Sequence, residues 1–414
     1  MDRVIFHCDL NSFYASVELL SHPELRHLPV AVCGDPESRH GIILAKNEPA
    51  KRFGVKTAET IWQARKKCPD LVLLPAHHDR YREYSRRVNE LYQEYTDLVE
   101  PFGIDESWLD VTGTLHLFGG DPAALADRLR ERMRGELGLT ISVGVSFNKV
   151  FAKLGSDYKK PDATTCITPE NFRDIVWPLP VTDLLFVGRA AGRTLEKFGV
   201  RTIGELARFD REALYQLLGR PGAQLHDYAN GLDRAPVAPA GEHAPPKSVG
   251  NGLTFPKNLQ GREEIASGIA MLSDQVAARL RRYGMKCGGV ALTVRDPDFR
   301  DVSRQKQLDR PTNLSRELAR EAMDLADQLW NMSLPVRALT VTAIYLVAED
   351  EAVAQQDLFA GAEEEKRQRL EQLDRAMDAI RDKYGKGAIG RASTPKGMDR
   401  ERHAPPPGGA YHPK

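Results

Sequence analysis

Residues 4–15 read VIFHCDLNSFYA, an apolar strand-like run that ends in an acid and leads directly into a helix-like segment. An acid at this place either caps the following helix or holds a ligand at the strand end. A second acidic group lies in residues 103–110, where GIDESWLD predicts a turn leading into another strand. Alone, such an Asp-Glu turn is usually a solvated hairpin. Together, Asp9, Asp105 and Glu106 offer the hard oxygen ligands that suit a pair of Mg²⁺ ions about 3.5 to 4 Å apart.

The chain has 414 residues, 41% of them apolar, which is enough for two to four domains that bury their own cores. No signal-like segment precedes the first strand, and no apolar stretch approaches the ~18 residues that a membrane span needs. Five cysteines without C-x-x-C spacing suggest neither a disulfide framework nor a zinc site. These features predict a cytoplasmic protein that does not enter the membrane.

The formal net charge is zero, which argues against a uniformly basic nucleic-acid binder. Residues 247–310 nevertheless carry 12 Lys or Arg against 7 Asp or Glu, whereas the chain around residues 363–365 is acidic. This distribution indicates phosphate binding by one basic module.

Residues 1–165 alternate short apolar strands with amphipathic helices, a pattern typical of a domain built around one mixed sheet. Residues 166–235 read as short helices joined by Gly turns, and residues 236–246 read as a Pro/Ala/Gly-rich linker. Residues 247–348 follow the order strand, helix, two strands, helix, strand. The remainder, 349–414, contains one charged helix near 363–383. The predicted fold class is therefore α+β and multidomain.

Three blocks, DLNSFYA at 9–15, GIDESWLD at 103–110 and GVSFNKVFAKL at 144–154, follow one another along the chain. They closely resemble, in order and in content, the motifs of Y-family translesion DNA polymerases, especially the DNA polymerase IV branch. The resemblance runs to about residue 348. It implies a right-hand polymerase with palm and fingers in 1–165, a helical thumb in 166–235 and an α/β little finger in 247–348. It also implies DNA-directed DNA polymerase activity in error-prone translesion synthesis during DNA repair.

The same resemblance assigns the metal ligands. Asp9, Asp105 and Glu106 would bind two Mg²⁺ ions, and the carbonyl of Leu10 would complete one shell. The implied substrates are primer-template DNA and deoxynucleoside triphosphates, joined by two-metal nucleotidyl transfer to the primer 3′-hydroxyl.

Three further side chains match substrate-binding positions of the family. Phe13 would pack under the incoming nucleotide, and Tyr14 would be the steric gate that excludes a ribose 2′-hydroxyl. Both aromatics are otherwise explained by core packing of an amphipathic helix. Lys160 matches the lysine that contacts the triphosphate, although neighbouring Lys159 leaves the register open by one position and a solvated loop lysine is the alternative.

The fingers depart from the family pattern. Residues 46–55 read KNEPAKRFGV, so that Glu48 and Lys51 stand where relatives usually have the Tyr and Arg that grip the triphosphate. Lysine neutralises phosphate but lacks the two-pronged contact of arginine. Because Glu48 would repel phosphate, it is expected to turn away or to pair with Lys51, with Arg52 sharing the load. The bulky Ile42 and Leu44 replace small roof residues, which disfavours bypass of large adducts.

Residues 355–359 read QQDLF and follow the last predicted strand. As a lone pattern this is common by chance. After a polymerase core it resembles the peptide that docks bacterial polymerases on the sliding clamp, with Leu358 and Phe359 filling an apolar pocket and Gln355 bonding its rim. The expected assembly is a monomer held on DNA by the clamp.

Two other function classes remain open from the sequence. A nucleotidyl cyclase could use a similar palm and metal pair, but it would not need the thumb, the little finger or the clamp peptide. A catalytically weak DNA-binding accessory factor would keep those parts, and Glu48 is the one feature that favours it.

Overall fold

A computed structural model of the protein describes residues 3–35, 41–242, 245–352, 361–385 and 387–391. Two compact units account for these residues, the first ending at Glu242 and the second beginning after it. Helices and strands occur in both units, so the α+β prediction is confirmed. Among the described residues, no helix combines the length and the apolar content that crossing a bilayer requires.

In the first unit, the strands are β1 (Ile5–Leu10), β2 (Val30–Cys33), β3 (Ile43–Lys46), β4 (Val72–Pro75), β5 (Val99–Pro101), β6 (Glu106–Asp110), β7 (Ile141–Ser146) and β8 (Thr164–Ile167). The helices are α1 (Phe13–Ser21), α2 (Glu48–Arg52), α3 (Ile61–Lys67), α4 (His78–Gln93), α5 (Pro122–Arg132), α6 (Lys149–Tyr158), α7 (Phe172–Ile175), α8 (Arg189–Lys197), α9 (Ile203–Arg208), α10 (Arg211–Leu218) and α11 (Arg220–Ala229).

The five-stranded sheet of this unit has the order β5-β6-β1-β7-β8. Strand β1 lies at its centre, antiparallel to both neighbours, and all six of its residues are buried. Phe6 and Cys8 pack into the core that also holds α4 and α5, whereas Ile5 packs with Ala152 of α6. Because side chains alternate along a strand, His7 and Asp9 share the α6 face with Ile5.

Two smaller groups of elements complete the first unit. A three-stranded sheet of order β3-β2-β4 packs with α2 and α3 around its own core. Helices α7 to α11 pack around a second core that includes Leu195 and Ile203.

In the second unit, the elements are β9 (Ser248–Leu259), α12 (Gly261–Arg282), β10 (Met285–Arg295), β11 (Asp301–Thr312), α13 (Ser315–Leu329), β12 (Val336–Ala348) and α14 (Gly361–Tyr384). The order of elements predicted for residues 247–348 is thus confirmed. The sheet has the order β11-β10-β12-β9 with antiparallel neighbours, and α12 and α13 pack on the face that carries Val290 and Leu339.

Helix α14 confirms the charged helix predicted near residues 363–383, and it packs against α12. The guanidinium of Arg281, whose side chain is only 7% exposed, donates to Asp374 at 3.1 Å and to Asp378 at 2.6 Å. The backbone N–H and the hydroxyl of Ser315 each donate to Asp374 at 3.0 Å. Helix α14 is therefore part of the packed second unit, which its charged composition did not predict.

Candidate active site

The pairing of β1 with β6 brings the two acidic segments together. Asp9 lies directly opposite Glu106 in the register of the two strands. The backbone N–H of Leu10 donates to the carbonyl of Asp105 at 2.9 Å, which holds the turn against the end of β1. Asp9 is buried, and Asp105 and Glu106 are half-buried. The three carboxylates named from the sequence therefore meet at one edge of the central sheet.

Two lysine side chains contact these carboxylates. Lys153 forms ion pairs with Asp9 at 3.2 Å and with Glu106, and Lys160 pairs with Asp9 at 2.7 Å. Asp157 contacts both ammonium groups, at 3.3 Å and 2.7 Å. Lys160 was named from the sequence, whereas Lys153 was not.

The position of Lys153 depends on a close approach of α6 to β7. A Cβ atom on Gly144 would lie 1.9 Å from the carbonyl oxygen of Ala152 and 2.5 Å from the backbone nitrogen of Ser156. Only glycine allows this contact, which brings α6 down onto the sheet so that Lys153 reaches the carboxylates.

Asp105 and Glu106 are neighbours in the chain with opposite electrostatic environments. Burial raises the pKa of Asp105, and the charges of Asp9 and Glu106 raise it further. Burial also opposes ionisation of Glu106, but hydrogen bonds from His7 and Lys153 outweigh it and lower the pKa of Glu106 to about 2. The negative charge of Asp105 is thus destabilised by its surroundings, whereas the negative charge of Glu106 is strongly stabilised.

His7 is a fully buried member of the site that the sequence analysis missed. His7 Nδ1 lies 2.8 Å from the hydroxyl oxygen of Ser156, which also lies 2.8 Å from the carbonyl oxygen of Lys153. His7 Nε2 then lies 3.2 Å from Glu106 Oε2. Burial lowers the pKa of His7, although Glu106 opposes this. The two-residue spacing from Asp9 along β1 was the sequence signal that could have identified it.

Oxygen donors of this kind fit a hard divalent cation. Burial raises the pKa of Asp105, and the negative charges of Asp9 and Glu106 add to this, as expected where carboxylates lie close together. Within the described parts of the chain, however, no group of three or more His, Cys, Asp or Glu side chains is already arranged to hold a metal ion. The ammonium groups of Lys153 and Lys160 occupy the spaces beside Asp9 and Glu106 instead.

Helix α1 carries the two aromatic residues named from the sequence. Phe13 is buried in the core of the first unit. Tyr14 is half-buried, and its ring stacks on Tyr81 with centroids 4.0 Å apart and packs edge-on against His78 at 5.8 Å. The helix begins after Ser12, whose left-handed backbone (φ 52°) turns the chain sharply away from β1. Phe13 is thus part of the core, whereas part of the Tyr14 side chain is exposed.

On helix α2, Glu48 and Lys51 form an ion pair at 2.5 Å, which is one of the two arrangements expected from the sequence. Both side chains are more than a third exposed, so the pair contributes at most about 1 kcal/mol to stability. The bulky Ile42, immediately before β3, is 37% exposed and forms a β-bridge with Thr60. Ala58, between them, has a φ of 68°, a strained value for a residue with a side chain.

The Gly turns predicted between the helices of residues 166–235 are present in the structure. Gly188 caps α8 without a side-chain hydrogen bond, and Gly219 (φ 70°) joins α10 to α11. Residues 353–360, which include Gln355, Leu358 and Phe359, lie outside the described residues.

The sequence and the fold of this chain are similar to those of known proteins. Residues 8–157 match the model of the impB/mucB/samB family, and residues 246–358 match the C-terminal domain of the same family. A protein of Acetivibrio thermocellus, DNA polymerase IV, is 48% identical over 94% of this chain and 97% of its own. DNA polymerase IV 1 of Bacillus subtilis is 38% identical over 95% and 94%. A Y-family DNA polymerase chimera of solved structure has a similar fold, with a TM-score of 0.73 and 22% identity over 83% of this chain and 99% of that one.

Proposed function

The chain belongs to the impB/mucB/samB family and is a DNA polymerase IV-like Y-family enzyme, a DNA-directed DNA polymerase of translesion synthesis, and from this premise we propose how its residues serve the reaction. The polymerase prediction is thereby confirmed, and the cyclase and the accessory factor are set aside. DNA and deoxynucleoside triphosphates are its substrates, and it depends on a divalent metal, as the family does.

We propose that the metal is Mg²⁺, that two ions bind, and that Asp9, Asp105, Glu106 and the Leu10 carbonyl are their ligands. When bound, the ions would lower the pKa of the primer 3′-hydroxyl and neutralise the triphosphate and the departing pyrophosphate. The observation that carries this proposal is the register of β1 and β6, which places Asp9 opposite Glu106 with Asp105 at the adjoining turn.

The lysines of the site would balance its charge. Lys153 contacts Asp9 and Glu106, and it would hold both carboxylates in position. Burial opposes ionisation of Lys160, but Asp9 outweighs it and raises the pKa of its ammonium group. Lys160 therefore stays charged and would move from Asp9 to the triphosphate when substrate binds.

The aromatic pair on α1 would form the nucleotide-binding surface. Phe13 fixes the helix in the core, and Tyr14 presents part of its ring beside Tyr81. A ring held by stacking cannot swing away easily, so Tyr14 would exclude a ribose 2′-hydroxyl by occupying its space.

We further propose the domain assignment that the family likeness implies. Palm and fingers occupy 1–165, the thumb 166–235, a linker 236–246 and the little finger 247–348, followed by a C-terminal segment, 349–414. In that segment Gln355, Leu358 and Phe359 would bind a sliding clamp. The working form would be a monomer in the cytoplasm, held on primer-template DNA by the clamp.

Primer extension with one deoxynucleotide at a time, with and without chelator, tests the metal proposal. Parent protein should extend only after Mg²⁺ is restored. Titration calorimetry of Mg²⁺ onto the complex of protein, DNA and a non-hydrolysable nucleotide should give two sites in the parent and fewer in Asp9→Asn. Two equally occupied sites in that variant would contradict the ligand assignment.

A further inference from the structure

Glu18 is a buried carboxylate that the proposed reaction does not use. It lies in α1, one helical turn after Tyr14, and only 1% of it is exposed. The hydroxyl of Tyr81 donates to Glu18 Oε1 at 2.5 Å, and the guanidinium of Arg80 donates to Oε2 at 3.2 Å. His77 Nδ1 lies 3.0 Å from Oε1. Since all three partners lie at the start of α4, the carboxylate holds that end of α4 against α1.

The ring of Tyr81 has little freedom to move. The residue is fully buried, and its hydroxyl, which donates to Glu18, also accepts from the backbone N–H of His77 at 3.1 Å. Burial raises the pKa of Tyr81, and the hydrogen bond to Glu18 raises it further, so the hydroxyl stays protonated and remains a donor. The ring of His78 packs edge-on against the Tyr81 ring at 5.6 Å. The orientation of Tyr81 is therefore set by contacts at its hydroxyl and around its ring.

Tyr14 lies parallel to this ring. The two planes differ by 11° and the centroids are 4.0 Å apart, closer than the Tyr14 ring lies to Phe13 (5.6 Å) or to His78 (5.8 Å). Stacked aromatic rings favour one relative orientation. Because Tyr14 and Glu18 are neighbours on one helix face, the stack and the hydrogen bond close a loop of contacts between α1 and α4. The orientation of Tyr14 thus depends on Tyr81 and, through it, on Glu18.

We propose that Glu18, acting through Tyr81, is a positioning residue for sugar selection. This inference rests on the proposed function of Tyr14 as the steric gate. A gate discriminates only while its ring stays in the space that a ribose 2′-hydroxyl would need. Loss of the ring's orientation therefore lets ribonucleotides bind better and leaves the binding of deoxynucleotides nearly unchanged.

The test compares kcat/KM for a deoxynucleotide with kcat/KM for the matching ribonucleotide, measured with the full-length protein on primer-template DNA. Tyr81→Phe, which keeps the ring but removes the hydroxyl, and Glu18→Ala should each lower the ratio of the two values about twofold to tenfold, the range for one aromatic contact. The change should come mainly from a lower KM for the ribonucleotide. Glu18→Gln should stay close to the parent, because its amide oxygen can still accept from Tyr81. Glu24→Ala is the matched control and should behave like the parent, since Glu24 also pairs with a histidine, His22 at 3.4 Å, but is exposed.

The Tyr14→Ala background separates positioning of the gate from a merely structural role. With the gate absent, added Glu18→Ala or Tyr81→Phe should not lower the ratio further. A further fall in that background would overturn the inference, as would an unchanged ratio when either residue alone is replaced. If Glu18→Ala does not fold, Tyr81→Phe decides the outcome.

The same measurements distinguish this inference from the proposals on which it rests. Failure of Tyr14→Ala to admit ribonucleotides would overturn the gate assignment and the inference together. Admission by Tyr14→Ala with parent-like ratios in Glu18→Ala and Tyr81→Phe would overturn the inference alone. Absence of extension by the parent would overturn the proposed function itself.

Discussion

Two single variants, Asp105→Asn and Glu106→Gln, should both abolish nucleotide incorporation. They should shift the free energy of unfolding in opposite directions. Both changes remove a proposed metal ligand, so each should slow nucleotide incorporation about a hundredfold or more. Their effects on stability differ because the two carboxylates have opposite pKa shifts.

For Glu106 the magnitude follows from linkage. Its pKa falls from 4.5 to about 2 on folding, and at about 1.4 kcal/mol per pKa unit the ionised group contributes about 3 to 4 kcal/mol at pH 7. Because the folded pKa is the lower one, this contribution is present above pH 4.5 and is lost as the pH falls towards 2. Glu106→Gln should therefore be destabilised at pH 7 by an amount of this order and should lose less stability than the parent on acidification.

Asp105 has the opposite sign. Its pKa is raised above 3.8 by burial and by its acidic neighbours, so its ionisation lowers stability as the pH rises through the folded pKa. Asp105→Asn removes that repulsion and should unfold at a higher urea concentration than the parent at pH 7.

Urea denaturation in the presence of a chelator is the assay, followed by tryptophan fluorescence, since three of the four tryptophans lie in the first unit. DNA affinity, measured by fluorescence anisotropy, serves as the control for correct folding. The electrostatic reasoning would be refuted if Glu106→Gln unfolded at the same urea midpoint as Asp105→Asn, or at a higher one. Extension by either variant near the parent rate would refute the ligand assignment.

Three further outcomes are expected. Tyr14→Ala should admit ribonucleotides, with a much smaller loss of deoxynucleotide use; if ribonucleotides stay excluded in incorporation assays, the gate is another residue. Replacing Leu358 and Phe359 by Ala should weaken clamp binding about a hundredfold or more, since each buried side chain contributes ~1.5 to 3 kcal/mol, yet spare synthesis without clamp. Asp374→Ala should destabilise the second unit by about 1 to 3 kcal/mol, measured by hydrogen exchange of α12 and α14, because it removes one acceptor of buried Arg281, which keeps Asp378, and the acceptor of Ser315. Asp382→Ala, which breaks a surface pair with Arg282, is its control and should cost less than about 1 kcal/mol.

The sequence predicted the parts of the site that depend on local pattern. Asp9 ends one apolar run, and Asp105 and Glu106 occupy a turn before another. The sequence therefore predicted that all three acids lie at strand ends. The pairing of Glu48 with Lys51 was also predictable, because residues three apart on a helix are neighbours.

Contacts between residues far apart in the chain were not predictable in this way. Lys153 reaches Asp9 across 144 residues, and only the approach of α6 at Gly144 makes the contact possible. His7 looks like one more residue of a buried strand until Ser156 and Glu106 are placed around it. The acids of α14 resemble a solvated face in sequence, and nothing local indicates that Arg281 is their partner.

The bond between Arg281 and Asp374 spans 93 residues and therefore has a consequence for the timing of synthesis. A ribosome adding about 5 to 20 residues per second needs roughly 5 to 20 s to pass from one residue to the other. During that interval the arginine has emerged before its acidic partner exists, and burying it unpaired would be unfavourable. During synthesis, α12 of the second unit should consequently pack stably only after residue 374 has left the ribosome. Chains whose synthesis is stalled earlier should be cleaved by protease within α12.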